Sequence, residues 1–299
     1  MTGTLLTFGH GYSAAALSRR LVATGWRVIG TTRSAEKAGR LAAQGVEPVI
    51  WEGGAAPPAL EIALAEATHL LASAAPALDG DAASGGDPVL AALAGAIAAR
   101  GGGLAWVGYL STVGVYGDRQ GGWVDEDSPC RPSTARGRAR LAAEEAWQAL
   151  AIRAGFPLHI FRLAGIYGPG RGPFSKVRAG TARRIIKPGQ VFSRIHVEDI
   201  ATVLAASIAR PAPGTVYNVC DDEAAPPEDV LEHAAGLLGL PPPPAVAWEE
   251  AEMSPMARSF YAESKRCSNA RLAGLGVTLA YPTYREGLAA LLAEETAGR

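Results

Sequence analysis

Short apolar runs alternate with alanine-rich stretches through the first half of the chain. Runs at Thr4–Phe8, Trp26–Thr31, Val46–Trp51, His69–Ser73, Leu104–Ser111 and Leu158–Leu163 predict strands. The segments between them, at 13–24, 35–43, 59–66, 88–100 and 135–154, predict helices. Strands that alternate with helices of this length build a doubly wound parallel α/β sheet with helices on both faces. Gly25, Gly45, Gly101–Gly103 and Gly155 fall where a helix must stop before the next strand, as left-handed caps do.

The rhythm breaks after residue 165 into the glycine- and proline-rich stretches GIYGPGRGPFS and KPGQ. A helix at about 197–209, a strand at 215–219 and a helix from Pro226-Pro227 to about 238 follow. Pro241–Pro244 is a polyproline-like connection, and helices near 264–273 and 283–296 end the chain. At 299 residues the chain exceeds the roughly 250 at which one core stops growing. The expected division is a dinucleotide-binding domain over 1–165 and 195–220, with a smaller C-terminal substrate lobe over 166–194 and 221–299.

Charge removes several function classes. With 28 Lys and Arg against 29 Asp and Glu, the net charge of −1 supplies no field for nucleic acid or an anionic membrane. Three cysteines without a CxxC pair give neither a disulfide framework nor a zinc knuckle, so buried thiols in a reducing compartment are expected. No histidine has HxxxH or HExxH spacing, so no metal is expected. The start MTGTLLTFGHG lacks a basic signal, and no apolar run reaches the ~18 residues of a membrane span. A cytoplasmic protein is the expectation.

Gly9-His10-Gly11-Tyr12-Ser13-Ala14 follows the first strand and opens a helix, the context that a GxGxxA phosphate-binding turn requires. Gly9 makes the turn, Gly11 lets the backbone approach a pyrophosphate at the helix N-terminus, and Ala14 lets helix and strand pack closely. The second strand ends Gly30-Thr31-Thr32-Arg33, with no carboxylate before Glu36 to accept from a ribose 2′-hydroxyl. NADP is therefore preferred over NAD, with Thr32 and Arg33 at the 2′-phosphate. The alternative for Arg33 is a solvated helix start. Ser73, ending the fourth strand, joins the cofactor-binding candidates with Tyr12 and Ser13.

Further blocks carry a family resemblance: Leu110-Ser111-Thr112-Val113-Gly114-Val115-Tyr116-Gly117, Asp125-Glu126-Asp127-Ser128-Pro129, Arg162 to Gly170, Arg194-Ile195-His196-Val197-Glu198-Asp199-Ile200-Ala201 and Val216-Tyr217-Asn218-Val219. In order and spacing, over about residues 4–220, the chain resembles the extended and atypical short-chain dehydrogenase/reductases, the NAD-dependent epimerase/dehydratase-like proteins. The resemblance implies a Rossmann-type fold, a nicotinamide cofactor and a nucleotide-sugar or other small carbonyl or hydroxyl substrate. Homodimers built through helices such as 88–100 and 135–154 are frequent among such proteins.

The resemblance places the catalytic hydroxyl at Thr112, with Ser111 as the adjacent alternative and Tyr116 as a further candidate. A strand-end hydroxyl can also serve only its own loop. The family's Tyr-x-x-x-Lys falls on Arg136 and Arg140, and arginine does not transfer protons near neutral pH. The chain has only four lysines, at 37, 176, 187 and 265, so no shifted dyad fits that helix. Arg140 can still hold a ribose or phosphate, and Arg138 can pair with Glu144 and Glu145 on the solvated face. The motif Tyr261-Ala262-Glu263-Ser264-Lys265 lies about 120 residues too late and reads as helix surface or lobe packing, with a catalytic pair as the alternative. Six cations between 176 and 194, Arg183, Arg184 and Arg194 among them, could grip a diphosphate with Arg136, or could be scattered charges on a lid. Asp199 reads as a first-turn partner of its helix dipole. Two functions follow: an NAD(P)-dependent oxidoreductase or epimerase, or a non-catalytic NADP(H)-binding sensor or scaffold.

Overall fold

The structure, a computed structural model, describes residues 2–78 and 83–297. In chain order the elements are β1 (Thr4–Phe8), α1 (Tyr12–Ala23), β2 (Arg27–Thr32), α2 (Ala35–Ala42), β3 (Glu47–Ile50), α3 (Pro58–Glu66), β4 (His69–Ala72), α4 (Pro88–Arg100), β5 (Trp106–Thr112), β6 (Trp123–Val124), α5 (Ala135–Ala154) and β7 (Leu158–Leu163). There follow β8 (Gly165–Tyr167), α6 (Phe174–Arg178), β9 (Arg184–Ile186), β10 (Arg194–His196), α7 (Val197–Ala209), β11 (Val216–Val219), α8 (Pro227–Leu237), β12 (Ala245–Ala247), α9 (Pro255–Phe260), β13 (Arg266–Cys267) and α10 (Tyr284–Ala297).

Seven parallel strands form the central sheet in the order β11-β7-β5-β4-β1-β2-β3. The order reverses between β1 and β4, and ligands of such sheets bind beyond the strand C-termini at that reversal. Each face buries its own apolar cluster. Leu5, Leu17, Trp106 and Phe161 lie on one side, and Leu6, Phe8, Leu70 and Trp147 on the other. Strands buried on both faces read as continuous apolar runs, which is why they were visible in the sequence.

Gly25, Gly45 and Gly155 have φ of +81°, +76° and +73° at the expected helix ends. A third apolar cluster lies among α6, α8 and α10, including Phe174, Val177, Ala234, Tyr284 and Leu288. Two short parallel pairs lie outside the central sheet: β8 pairs with β10, and β9 with β12. The expected helix near 264–273 is absent. That stretch forms β13, paired with β6, and then a 3₁₀ turn at Ala270–Leu275. No helix among the described residues is long and apolar enough to cross a membrane.

Candidate functional site

The loop between β1 and α1 is held by its neighbours. Gly9 has φ +81°, and the Gly9 N–H donates to Thr31 Oγ1 at 2.7 Å. A Cβ on Gly9 would lie 3.1 Å from the Ala74 nitrogen, so only glycine fits this turn without displacing the loop after β4. Gly11 caps α1 without any side-chain acceptor, which leaves the first-turn N–H groups directed outward. Ser13 and Ala14 are buried in the first turn of α1 and contribute backbone and packing. Ser73 Oγ donates to the carbonyls of Phe8 and Gly9, so this hydroxyl braces the turn. His10 packs against Gly30, and its Nδ1 lies 2.8 Å from Thr7 Oγ1. Burial pushes its imidazole down to about 4, so it is neutral at physiological pH.

At the end of β2, Thr32 Oγ1 is buried without a hydrogen-bond partner, beside the exposed Arg33. A buried hydroxyl without a partner calls for a ligand or solvent atom, which fits a dinucleotide's adenosine end. Tyr12 donates its hydroxyl to Pro169 O at 2.8 Å and carries Arg171 over its ring, 4.8 Å from the centroid. The glycine-rich loop after β8 is thereby tied to the first residue of α1.

Where the C-terminal ends of β5 and β7 meet the lobe there is a cavity of about 1090 Å³. Its wall includes Thr112, Arg136, Arg140, Arg194, Glu263 and Lys265. Thr112 Oγ1 accepts from Gly114 N–H at 3.2 Å, so the local loop uses its lone pair while its proton stays available for another acceptor. Arg140 Nη1 donates to Leu110 O at 2.7 Å, to Tyr109 Oη at 3.3 Å and to Ala74 O at 3.4 Å, which fixes the guanidinium between β5 and the loop after β4. Arg136 is exposed on the wall. Gly137, between these arginines, lets α5 press on the loop after β5: a Cβ there would lie 2.8 Å from Gly114 O.

Two catalytic candidates lie elsewhere. Ser111 donates to Glu144 Oε1, and Tyr116, fully buried, donates to Asn218 Oδ1 at 2.7 Å while accepting from Arg162 Nη1 at 2.9 Å. Neither lines the cavity. Both belong to a closed polar network under its floor, and burial holds the Tyr116 phenol well above its ordinary range. Glu144, expected on a solvated helix face, is 1% exposed and pairs with Arg162; Arg138 donates to Ser133 O instead.

The six-cation grip also dissolves. Arg183 bonds the carbonyls of Gly180 and Ala182, Arg184 pairs with Glu232 at 2.6 Å, and Arg178 pairs with Glu295 at 2.6 Å. Of that run only Arg194 lines the cavity. Its Nη1 donates to the carbonyls of Phe192 and Ala225, and the aromatic ring of Tyr284 lies 5.9 Å away. Behind it Asp221 is buried, and desolvation pushes its carboxyl up to about 8 against the pull of Arg194. Asp199, in the first turn of α7, accepts from the N–H groups of Ala280 at 2.7 Å and Tyr281 at 3.0 Å, and so pins the C-terminal segment.

Sequence reasoning missed Arg171 and misplaced Glu263 and Lys265. Both of the latter are buried in the cavity wall, with Lys265 Nζ 2.7 Å from Glu263 Oε2. The late YxxxK spacing was the signal, and it pointed to the wrong surroundings. Among the described residues no group of three or more His, Cys, Asp or Glu side chains could hold a metal ion.

The model of the NAD dependent epimerase/dehydratase family matches residues 4–220. Among curated proteins, Protein YeeZ of Escherichia coli K12 is 37% identical over 136 residues, 45% of this chain and 47% of that protein. The match thus spans about half the length of the curated relative. A solved structure from Silicibacter pomeroyi, described as a functionally unknown conserved protein, is 57% identical over 98% of this chain and 99% of its own, with a TM-score of 0.88. The UDP-glucuronic acid 4-epimerase of Bacillus cereus, in complex with UDP-glucuronic acid and NAD, shares the fold: TM-score 0.75, 15% identity, 99% of this chain and 100% of its own.

Proposed function

The chain belongs to the NAD dependent epimerase/dehydratase family, and on that premise we propose that it is an NADP(H)-dependent oxidoreductase or epimerase acting on a nucleotide-linked sugar or another small anionic carbonyl or hydroxyl compound. One observation carries the reading: the half-buried Thr112 hydroxyl and the anchored Arg140 share one cavity at the strand C-termini. NADP is preferred because Thr32 and Arg33 stand where an NAD site offers a carboxylate. When bound, the dinucleotide supplies the hydride acceptor or donor. Thr112 donates a hydrogen bond to the substrate oxygen whose carbon changes oxidation state, and so stabilises charge that grows there. Arg140 orients the ribose, and Arg194 with Arg136 attracts the anionic part of the substrate.

A second reading has its own observation. Arg136 occupies the family's tyrosine position and releases no proton, which suits a protein that binds NADP(H) without turning it over. Residues in α4 and α5 flank a shallow groove that includes Leu90, Ala146 and Leu150; we assign this face to a homodimer.

Fluorescence titration with NADPH and NADH, followed by 340 nm assays over nucleotide sugars and carbonyl compounds, tests both readings. Tighter binding of NADPH with turnover supports the enzyme. Binding without any turnover favours the sensor, and equal or tighter binding of NADH removes the Arg33 argument.

A further inference from the structure

Few groups in the cavity wall can release and recover a proton. The arginines cannot. Tyr167 directs its hydroxyl toward Thr283 O and into the space that a Cβ on Gly287 of α10 would need, so it faces the lobe core. Cys267 has its thiol pushed up to about 11 by burial. Glu263 and Lys265 remain.

Their surroundings are built with unusual redundancy. Glu263 Oε1 accepts from Ser133 Oγ at 2.6 Å, while Oε2 takes the Lys265 ammonium at 2.7 Å. Ser133 lies three residues before Arg136, where the family resemblance calls for the proton-transferring tyrosine. Gln190 Nε2 donates to Glu263 O at 2.7 Å, and Ser264 N–H donates to Asp118 Oδ1 at 2.8 Å. Val191 N–H donates to Ser264 Oγ at 3.1 Å, and that hydroxyl donates to Gly189 O at 2.9 Å. Three loops thus fix one tripeptide in the wall that also holds Thr112. Burying an ammonium–carboxylate pair brings little net stability, so stability alone does not account for placing one in the cavity wall.

We propose that Lys265, positioned by Glu263, is the proton donor and acceptor for the substrate oxygen, and that this C-terminal segment takes over the work of the absent Tyr-x-x-x-Lys pair. The inference rests on the oxidoreductase reading above. In the reducing direction the substrate carbonyl carbon gains a hydride from a reduced nicotinamide dinucleotide, and its oxygen gains a proton from the Lys265 ammonium. The amine left behind regains a proton from solvent. In the oxidising direction the neutral amine takes the hydroxyl proton as the carbon loses hydride to the oxidised dinucleotide. Glu263 keeps the amine aimed at the cavity.

The small number of lysines permits a test that does not need a known substrate. Reductive methylation with ¹³C-formaldehyde labels the four lysines and the terminal amine, and the Lys265 signal is the one missing in K265R. Addition of NADPH shifts that signal if the amine faces the reacting end of the cofactor. An unmoved signal at saturating NADPH, with saturation checked by fluorescence, overturns the proposal while leaving the cofactor reading intact. Failure of NADPH to bind at all overturns both.

With UDP-glucose and UDP-glucuronic acid as hydride-donating probes and NADP⁺ as the acceptor, K265M and K265R both lose about 10²-fold or more in single-turnover hydride transfer, with NADP⁺ affinity kept. A merely attractive cation would leave K265R active, and that result also overturns the proposal. The double variant E263Q/K265M, without a buried unpaired charge, checks by thermal melting that the loss is not a failure to fold.

Discussion

Arg162 grips Glu144 from two nitrogens, with Nη2 2.8 Å from Oε2 and Nε 3.2 Å from Oε1. The carboxylate on α5 is thereby tied to β7, beneath the cavity floor. Side-chain exposures of 7% and 1% mean that neither charge has water to fall back on. Removing one partner strands the other, which costs about 3–5 kcal/mol in comparable buried pairs. E144A is therefore expected to lower stability by that order in guanidinium unfolding. E144L/R162M, which removes both charges, recovers much of the loss.

Thr112 has two tasks that substitution separates. Loss of its bond from Gly114 N–H costs on the order of 1 kcal/mol, seen as a lower melting temperature in T112A. Loss of the donor to the reacting oxygen costs about 10²–10³-fold in single-turnover hydride transfer. T112S restores both, and NADPH affinity is unchanged in either variant. Full activity in T112A removes the catalytic assignment.

Arg33 is exposed and lies next to the unpartnered Thr32 hydroxyl. A charge-assisted bond to a 2′-phosphate is worth about 1.5–3 kcal/mol. R33A is expected to weaken NADPH about 10–100-fold in fluorescence titration while NADH binding stays the same. Parallel losses for both cofactors show that Arg33 serves the shared part of the dinucleotide.

The sheet was legible because its strands are buried on both faces: Leu5, Leu6, Val107 and Ile160 are almost fully enclosed and read as apolar runs. The phosphate turn was legible because its glycines meet a local demand, as the φ of Gly9 shows. The chemistry of the cavity was not. Glu263 meets Ser133 across 130 residues and Gln190 across 73, contacts that no local spacing encodes. Ser111 and Tyr116 sit one and four residues from Thr112, yet the alternation of β5 turns Ser111, and the 3₁₀ turn after it turns Tyr116, toward Glu144 and Arg162 under the floor. Arg194 could not be separated from its basic neighbours because their charge is alike; its place in the cavity wall distinguishes it, and that place follows from β10 pairing with β8.

Asp221 sets a pH dependence whose sign can be worked out. Its carboxyl is pushed from an ordinary 3.8 to about 8, chiefly by desolvation, although Arg194 pulls the other way. The folded state therefore binds a proton that the unfolded state has released between those two values. The stability this group contributes is fully present below about pH 4 and is lost as pH rises through about 8. The limiting slope is about 1.4 kcal/mol per pH unit. D221N keeps the shape of the protonated acid and cannot ionise, so it should be more stable than wild type at pH 8. The advantage should shrink steadily as pH falls toward 4. Three histidines, His10, His69 and His196, are each held down at about 4 by burial and destabilise both proteins equally as pH falls below 6.5. The difference between D221N and wild type in urea midpoints across that range isolates Asp221 from them. A difference that does not vary with pH would mean that Asp221 is ionised in the folded protein and held by Arg194.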